Sequence, residues 1–321
     1  MVKIIQLDEI KEILKVIEPI KLIEEGFVAY SQGKVVVPPV GEMIFDDPKY
    51  PGDCHIKYGY IKKNDFYVVK IAQGFYNNPK LGLPSNNGLN ILFNQKTGAI
   101  ECILLDEGHL TNVRTASAGA IAAKYMAPTN VKKIGIFGTG IQGKMQLSYL
   151  KFVVKCRKAI IWGRSQNSLD KYQEEMADSG YDIETTLKST DVTNSCNLIV
   201  TCTPAKKPLI KTNQIRKGTH ITAVGSDTPE KQELDSRILQ KADRVISDSI
   251  FQAETRGECF HAIKNGMITK DKLIELGEMI LEKKFQRSSD DEITVVDLTG
   301  VAVQDIQISK AVFEGLRSLE L

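Results

Sequence analysis

Three glycines in the middle of the chain have the spacing of a phosphate-binding loop. Gly138, Gly140 and Gly143 follow the apolar run Ile134–Phe137 and precede a segment of helical character. In this context the first glycine allows a tight turn, the second lets backbone approach a pyrophosphate, and the third lets the helix pack against the strand. The helix start then offers free N–H groups and a positive dipole end to phosphate. The pattern predicts a dinucleotide site, with a ligand-free glycine turn as the alternative.

The end of the next predicted strand, residues 159–162, indicates which dinucleotide is favoured. A site for NAD usually has an acidic residue there, which holds the ribose 2′-hydroxyl. This chain instead has Gly163, Arg164 and Ser165, and a guanidinium beside a hydroxyl suits a 2′-phosphate. We therefore expect NADP(H) to be favoured over NAD(H). The alternatives are an Arg164 that faces solvent and a site that binds NAD without the acid.

Beyond the glycines, strands and helices alternate as in a doubly wound α/β sheet. The predicted strands are residues 198–202, 220–224, 244–247 and 295–297. Ligands of such sheets lie beyond the carboxyl ends of the strands. Thr203 and Pro204 follow one of these ends, and Ser226 and Asp227 follow the next. These residues are therefore placed where chemistry would occur.

Three cations in the first third of the chain are candidates for binding an anion. Lys57 and Lys70 lie inside two predicted strands, residues 54–61 and 66–72. Such a lysine faces solvent or pairs with an anion, because burying an unpaired ammonium is costly. Arg114 lies near the start of an alanine-rich predicted helix, residues 110–126, where a cation opposes the helix dipole unless an anion is present. Arg114 is expected to bind a carboxylate or phosphate, or to form a structural ion pair.

The surrounding elements and the composition limit the class of protein. Strands at 89–93 and 100–105 with no helix between them predict an antiparallel or mixed sheet, and residues 10–27 and 301–316 have helical periodicity. A length of 321 residues suggests two domains, since one core seldom exceeds ~250 residues. A net charge of +2 gives no support for nucleic-acid binding.

Cysteines, histidines and hydropathy exclude further classes. The six cysteines contain no C-x-x-C pair, so we expect reduced thiols in a cytoplasmic protein rather than a disulfide framework. The four histidines lack metal-ligand spacing, so no metal site is expected. No apolar run approaches the ~18 residues of a membrane span, so no membrane partner is expected.

These residues together resemble the ornithine cyclodeaminase and mu-crystallin family of NAD(P)-dependent enzymes. The matching stretches are residues 110–128 (LTNVRTASAGAIAAKYMAP), 138–142 (GTGIQ), 223–235 (AVGSDTPEKQELD), 257–258 (GE) and 297–305 (DLTGVAVQD). Members of this family include cyclodeaminases, alanine dehydrogenases, ketimine and pyrroline-carboxylate reductases, and iminosuccinate reductases. The resemblance implies a homodimer. It also implies a substrate-binding and dimerisation domain of α+β type (residues 1–115 with 302–321) and a Rossmann NAD(P)-binding domain (residues 116–301).

The resemblance also implies roles for individual residues. Lys70 matches the family's catalytic lysine, Arg114 the arginine that binds the substrate carboxylate, and Asp227 a proton donor or acceptor. The candidate cofactor-binding residues are Thr115, Gly138, Thr139, Gly140, Ile141, Gln142, Gly163, Arg164, Ser165, Thr203, Pro204, Val224, Ser226, Asp297 and Gly300. Glu258 and His261 are candidates for supporting this site. The alternative is that Glu258 is a helix-surface glutamate and His261 a core histidine.

One departure from the family bears on the substrate. Residues 35–41 (VVVPPVG) lack the arginine with which many members grip the carboxylate, and Lys57 is the candidate replacement. Iminosuccinate reductases look similar around Lys57, whereas cyclodeaminases have an acidic residue near this position. A lysine would repel the distal ammonium of ornithine by about 1 kcal/mol at ~4 Å in water, and by more in a drier pocket.

The sequence therefore predicts an NAD(P)H-dependent imino-acid reductase or amino-acid dehydrogenase. Hydride would pass between nicotinamide and the Cα of a small amino or imino acid, a dicarboxylic one among the candidates, with the 2-oxo acid as the related substrate. One alternative is an ornithine or lysine cyclodeaminase, which releases ammonia with catalytic NAD. The other is a non-catalytic protein of mu-crystallin type that binds NADPH or a small ligand.

Overall fold

The computed structural model describes residues 2–75 and 77–319, which form two compact units. One unit is Met1–Arg114 with Val301–Leu321, and the other is Thr115–Gly300. In chain order the strands and helices are β1 (Lys3–Gln6), α1 (Leu7–Leu14), α2 (Pro19–Ser31), β2 (Val35–Val36), β3 (Gly41–Phe45), β4 (Gly52–Ile61), β5 (Phe66–Phe75), β6 (Asn86–Asn94), β7 (Ile100–Leu105), α3 (His109–Met126), β8 (Ile134–Phe137), α4 (Ile141–Leu150), β9 (Lys158–Trp162), α5 (Gln166–Glu175), β10 (Asp182–Thr186), α6 (Ser189–Ser195), β11 (Leu198–Thr201), β12 (His220–Ala223), α7 (Arg237–Lys241), β13 (Arg244–Ser247), α8 (Gly257–Lys264), β14 (Leu273–Glu275), α9 (Leu276–Leu281), β15 (Thr294–Asp297) and α10 (Ala302–Leu319).

The first unit contains a mixed sheet in the order β1-β7-β6-β5-β4-β2, with β3 also paired to β4. All pairs are antiparallel except β1 with β7, so the mixed sheet predicted for this region is confirmed. Side chains alternate along β5, where Phe66, Val68 and Lys70 are buried. Period-two alternation of this kind gives a sheet one buried face.

Helices α1, α2 and α10 complete the core of the first unit. Gly26 of α2 lies so close to α10 that an added Cβ would be 2.9 Å from the Gln307 side chain. Gln307 also donates a hydrogen bond to the Leu22 carbonyl of α2. On the sheet side, Phe313 of α10 makes an edge-to-face contact with Phe66 of β5. Helix α10 therefore lies against both the sheet and α2.

The second unit is a doubly wound parallel sheet in the order β10-β9-β8-β11-β12-β15-β13-β14. Its central strands are wholly buried, as in Ile134–Phe137 and Leu198–Thr201, which explains their near-continuous apolar sequence. From β8 the chain proceeds to β9 and β10 on one side, and to β11 and β12 on the other. The strand order thus reverses beside β8, at the point where doubly wound sheets bind ligands.

Several elements were not expected from the sequence. Strand β1 precedes the first helix in a region interpreted as helical, and β3, β10 and β14 were also missed. Each of these strands has five residues or fewer and carries polar or charged side chains. Short strands of this composition depend on the neighbours with which they pair rather than on a period of their own. Among the described residues, no helix is long and apolar enough to cross a membrane.

Candidate active site

A row of polar side chains crosses the buried face of the first unit's sheet. Lys57 on β4, Lys70 on β5 and Asn90 on β6 are successive cross-strand partners, so they point to the same face. Lys70 and Asn90 are only 3% and 2% exposed, whereas Lys57 is half-buried. Because like charges directly opposite each other destabilise a sheet, Lys57 and Lys70 require a nearby anion.

Asp305, in the first turn of α10, supplies that anion. Its Oδ1 accepts hydrogen bonds from Lys70 Nζ at 3.1 Å and from Arg114 Nε at 3.2 Å. Arg114 also donates to Gln304 Oε1 at 3.2 Å. Asp305 Oδ2 is buried and has no hydrogen-bond partner among the described residues. We call Lys57, Lys70, Arg114 and Asp305 the cation cluster, since three cations surround one carboxylate.

Burial and charge shift the proton equilibria of the cation cluster in a consistent direction. Burial lowers the pKa of Lys70, and the nearby Arg114 charge adds to this effect while Asp305 opposes it. Burial alone would raise the pKa of Asp305, but the positive charges of Lys70, Arg114 and Lys57 outweigh it and lower that pKa. The carboxylate is therefore ionised, and Lys70 releases its proton more readily than a solvated lysine.

The structure decides between several of the sequence alternatives. The interpretation of Lys70 as a solvent-facing lysine is wrong, because the residue is buried. Arg114 forms the structural ion pair with Asp305. Helix α3 begins at His109, so Arg114 lies in its second turn, and the expectation that its charge opposes the helix dipole was wrong. The dipole acts mainly on the terminal turn.

Several polar residues that hold this cluster in place were not recognised from the sequence. They are Asp305 and Gln304, and also Asp106, which accepts hydrogen bonds from Asn90 Nδ2 at 3.3 Å and from Leu110 N at 2.8 Å. The helix dipole alone is enough to explain an acidic residue in the first turn of a helix. The sequence around Asp305 therefore did not indicate a partner elsewhere in the chain. The available signal was indirect, since three cations inside apolar segments require an anion from another part of the chain.

In the second unit, the glycine loop has the geometry that phosphate binding requires. Gly138 has φ +128, a conformation that favours glycine, and an added Cβ on Gly143 would be 2.2 Å from the Gly138 carbonyl. A Cβ on Gly140 would meet nothing within 4 Å, and no side chain caps the start of α4 there. Thr139 lies in this turn, and Ile141 and Gln142 are the first two residues of α4. Open space at Gly140 and an uncapped helix start fit a pyrophosphate.

The end of β9 presents Arg164 to solvent. Gly163 is buried, and an added Cβ would be 2.8 Å from Thr139 of the glycine loop. Arg164 is exposed and makes no hydrogen bond or ion pair within residues 2–75 and 77–319. Ser165 begins α5, where its hydroxyl accepts from Ser168 N at 3.4 Å. The guanidinium is therefore available for a ligand, whereas the Ser165 hydroxyl already has a partner.

The turns after β11 and β12 contain Thr203, Pro204, Ser226 and Asp227, as the sequence predicts. Ser226 is buried and donates to the Lys231 carbonyl at 2.5 Å, so its hydroxyl is already used within the protein. Asp227 is half-exposed and accepts from Lys231 Nζ at 2.6 Å. The Asp227 carboxylate is thus held in place while it stays accessible to solvent.

The remaining candidates vary in exposure. Val224 and Asp297 are buried, and Asp297 Oδ2 accepts from Cys259 N at 2.8 Å. Gly300 has φ +84 and donates its N–H to Asp248. Thr115 lies in α3, and its carbonyl accepts from Gln146 Nε2 at 3.0 Å. The side chain of Asp297 therefore faces the protein interior, and its backbone carbonyl accepts from Asp248 N at 3.1 Å.

Glu258 and His261 do not have the surface and core positions that were the alternatives to a role in supporting the site. Glu258 is 1% exposed, so the reading as a helix-surface glutamate is wrong. His261 is half-buried rather than in the core, and its Nε2 lies 2.9 Å from the Lys231 carbonyl. All six cysteines are free. Within the described ranges, no group of three or more His, Cys, Asp or Glu side chains could hold a metal ion.

Fold and sites together define a two-unit α/β protein with a Rossmann sheet and a separate buried cation cluster. Residues 1–320 match the model of the ornithine cyclodeaminase/mu-crystallin family. The chain therefore belongs to this family, and the assignment made from the sequence motifs is confirmed.

Three proteins illustrate what this chain is similar to. A Sinorhizobium fredii protein named as an uncharacterized cyclodeaminase is 36% identical over 97% of this chain and 95% of its own. An archaeal alanine dehydrogenase, solved as a dimer with bound NAD, is 31% identical with a TM-score of 0.90, covering 100% of this chain and 97% of its own. The iminosuccinate reductase of Paracoccus denitrificans, solved with NAD+, is 29% identical with a TM-score of 0.88, covering 99% and 97%. The prediction of an oxidoreductase acting on CH–NH or CH–NH2 groups agrees with the last two.

The two glycines of the loop should respond differently to alanine. Gly143→Ala places a Cβ against the Gly138 backbone, so we expect a loss of about 1–3 kcal/mol in the free energy of unfolding. Gly140→Ala meets open space at φ −77, so its stability should change by less than about 1 kcal/mol. Urea unfolding of both variants tests this difference, and equal losses would contradict the geometry.

Removing the charge of Asp305 should strongly destabilise the protein. Asp305→Asn leaves Lys70 and Arg114 buried without their carboxylate, which costs about 3–5 kcal/mol in the free energy of unfolding. The control is Glu314→Gln, which breaks a half-exposed pair with Lys310 on the same helix and should cost less than about 1 kcal/mol. Adding Lys70→Met to Asp305→Asn should recover part of the loss. A double variant less stable than Asp305→Asn would argue against the ion pair.

Proposed function

We propose that this chain is an NAD(P)H-dependent imino-acid reductase, which in the reverse direction is an amino-acid dehydrogenase. The observation that carries the proposal is the cation cluster, in which Lys57, Lys70 and Arg114 surround a single carboxylate. Such an excess of positive charge suits a small anionic substrate. Two similar proteins, the alanine dehydrogenase and the iminosuccinate reductase, are named for reactions of small amino or imino acids.

The two units would divide the work. The first would bind substrate, and the second would bind the cofactor at the glycine loop, where Gly140 faces open space. When bound, the reduced nicotinamide supplies a hydride to the Cα of the imine, and a proton to nitrogen completes the change from C=N to CH–NH. Both similar solved proteins contain NAD or NAD+, which supports a nicotinamide cofactor.

The residues of the first unit would bind and orient the substrate. The planar guanidinium of Arg114 can hold a carboxylate through two parallel hydrogen bonds, and the Lys70 ammonium adds a point charge. The lowered pKa of Lys70, caused by its burial, makes this ammonium a better proton donor than a solvated lysine. Lys57 would favour a substrate with a second carboxylate, because it adds a third positive charge.

Asp227 is the proposed proton donor or acceptor of the second unit. Its carboxylate stays accessible at the end of β12 while Lys231 fixes its orientation. The backbone carbonyl of Asp227 also accepts a hydrogen bond from Arg256 at 3.4 Å. A carboxylate with a fixed position and an open side can exchange a proton with a bound substrate or with a water.

We infer that NADP(H) is preferred over NAD(H). Arg164 is exposed at the end of β9 without a protein partner in the described ranges, so it can meet a 2′-phosphate. No acidic side chain follows β9 to hold a 2′-hydroxyl. NAD(H) is the alternative, since the similar structures contain NAD or NAD+.

A cyclodeaminase is the second candidate, because the Sinorhizobium fredii relative carries that name. Such an enzyme would oxidise and re-reduce one substrate, so ornithine or lysine would release ammonia with no net change in NADH. The charge of Lys57 opposes a second ammonium on the substrate, by about 1 kcal/mol at ~4 Å in water. This repulsion favours the reductase.

The reductase proposal is tested by following the oxidation of NADPH and NADH. Pyruvate, oxaloacetate, glyoxylate or a cyclic imine is supplied, the acyclic acids with ammonia or methylamine. We expect oxidation with at least one imino acid. Lys70→Met should lower kcat by about 100-fold or more, as when a general acid or base is lost. Arg164→Ala should raise the KM for NADPH about tenfold and that for NADH much less.

The matched control is Lys63→Met, which removes an exposed lysine from the turn between β4 and β5 and should retain full turnover. Full turnover by Lys70→Met would overturn the role of Lys70. Ammonia release from ornithine with no oxidation of either cofactor would establish the cyclodeaminase instead. An unchanged preference in Arg164→Ala would contradict only the inference on NADP(H).

We also propose that two copies of the chain associate through the first unit. Edge strand β3 exposes Met43, Ile44 and Phe45, and Tyr58 and Tyr60 are exposed on β4. Exposed apolar side chains on a sheet edge are typical of interfaces between chains. A second copy is the expected occupant, because the similar alanine dehydrogenase is a dimer.

Light scattering after size-exclusion chromatography tests this association. The wild-type chain should elute as a dimer of the 35.7 kDa protomer. Ile44→Lys should shift it toward monomer, because a charge in an apolar interface is costly. Phe152→Lys, at an exposed phenylalanine of the second unit, should remain dimeric. A monomeric wild-type protein would refute the proposal.

A further inference from the structure

One buried carboxylate connects two of the strand-end turns of the Rossmann sheet. Glu233 lies between β12 and α7 and is fully buried. Its Oε1 accepts from both the backbone N–H and the hydroxyl of Thr203, each at 2.7 Å. Its Oε2 accepts from the backbone N–H of Gly225 at 2.9 Å. Thr203 follows β11 and Gly225 follows β12, so Glu233 bridges neighbouring turns at the carboxyl edge of the sheet.

The turn after β12 lies so close to the turn after β11 that no side chain fits at Gly225. A Cβ on Gly225 would lie 2.2 Å from the Thr203 carbonyl and 2.6 Å from Glu233 Oε2. Only a glycine lets the β12 turn approach Thr203 and the carboxylate at once. Asp227, the proposed proton carrier, is two residues after Gly225. The position of Glu233 therefore bears directly on the turn that holds Asp227.

Glu233 is itself fixed from the other side. Its backbone N–H donates to Glu258 Oε1 at 2.6 Å, and the N–H of Leu234 donates to Glu258 Oε2 at 3.1 Å. The titratable groups that face Glu233 are Glu258 of α8 and Cys202 at the end of β11. Burial raises the pKa of Glu233 to about 7, although hydrogen bonds from Thr203 and Gly225 favour its charged form. Burying this carboxyl is costly, and its hydrogen bonds with Thr203 and Gly225 offset part of that cost.

We propose that Glu233 is a positioning residue for the nicotinamide half of the cofactor site, acting by holding the Thr203 and Gly225 turns together. The inference rests on the proposed nicotinamide cofactor. A doubly wound sheet consists of two mononucleotide-binding halves on either side of the reversal in strand order. Strands β8 and β9, with the glycine loop and Arg164, form the half that would hold adenosine. Strands β11 and β12 belong to the other half, and the Glu233 carboxylate accepts hydrogen bonds from the turns that follow these two strands.

The two halves of the cofactor site allow a test that distinguishes a positioning role of Glu233 from a general loss of structure. In Glu233→Gln one carboxylate oxygen becomes an NH2 group, which faces an N–H donor in either orientation, so one tie between the turns is lost. We expect NADPH and NADH to bind about 10- to 100-fold more weakly, as when a charge-assisted hydrogen bond is removed. ADP-ribose phosphate and ADP-ribose, which lack nicotinamide, should bind within about twofold of wild type. Titration calorimetry measures all four ligands.

The control is Glu230→Gln in the same loop, where the side chain is exposed, and it should bind all four ligands like wild type. Equal weakening of all four ligands by Glu233→Gln would mean a purely structural role and would overturn the proposal, as would unchanged binding. A wild-type protein that binds neither reduced cofactor would instead refute the proposed function. These outcomes separate the two hypotheses.

A pair of variants at Thr203 answers the same question if Glu233→Gln does not fold. Thr203→Val keeps the shape of the side chain and removes its hydroxyl bond to Glu233, whereas Thr203→Ser keeps the hydroxyl. Reduced cofactor should bind more weakly to the valine variant than to the serine variant, and the nicotinamide-free ligands should bind equally to both. Equal cofactor affinities of the two variants would contradict the proposal.

Discussion

The central constraint of the first unit is the burial of Asp305 against Lys70 and Arg114. Two buried cations on a sheet and a helix are tolerated only because a carboxylate from α10 reaches both through one oxygen. This requirement helps to hold α10 against the sheet, although Lys70 of the sheet lies 235 residues before Asp305 in the chain. The same charges that hold α10 in place also give the cluster its excess of positive charge, so packing and the proposed substrate binding depend on one set of residues.

The second unit also buries charged groups, but there the buried carboxylates accept hydrogen bonds from neutral backbone N–H groups. Glu233, Glu258, Asp297 and Asp248 are all buried at the carboxyl edge of the Rossmann sheet, and each accepts at least one backbone N–H from a neighbouring segment. Buried anions are expensive unless hydrogen-bonded. The N–H donors of Gly225, Glu233 and Gly300 lie in segments between elements, and that of Cys259 lies in the first turn of α8, so these carboxylates tie such segments to the sheet edge. A cofactor site formed by turns needs this kind of support, because turns have few apolar contacts of their own.

Much of the fold and of the site could be predicted from local sequence. The glycine spacing after Ile134–Phe137 and the apolar strands that follow it predicted the doubly wound unit, and the structure agrees. The missed strands β1, β3, β10 and β14 have no period of their own. Lys70 could be recognised as unusual, but the sequence did not decide whether it faces solvent or pairs with an anion. An apolar strand does not reveal which of its faces is covered.

The sequence alone determined the family, the Rossmann sheet, the glycine loop and the position of Thr203, Ser226 and Asp227 at strand ends. These features depend on contacts within a few residues, or on the regular periods of strands and helices. Only the tertiary structure decided that Asp305 meets Lys70 and Arg114, that Glu233 bridges Thr203 and Gly225, and that Glu258 is buried. The reason is physical: a hydrogen bond between residues distant in the chain leaves no local pattern, since either partner alone resembles an ordinary polar residue of a helix or loop.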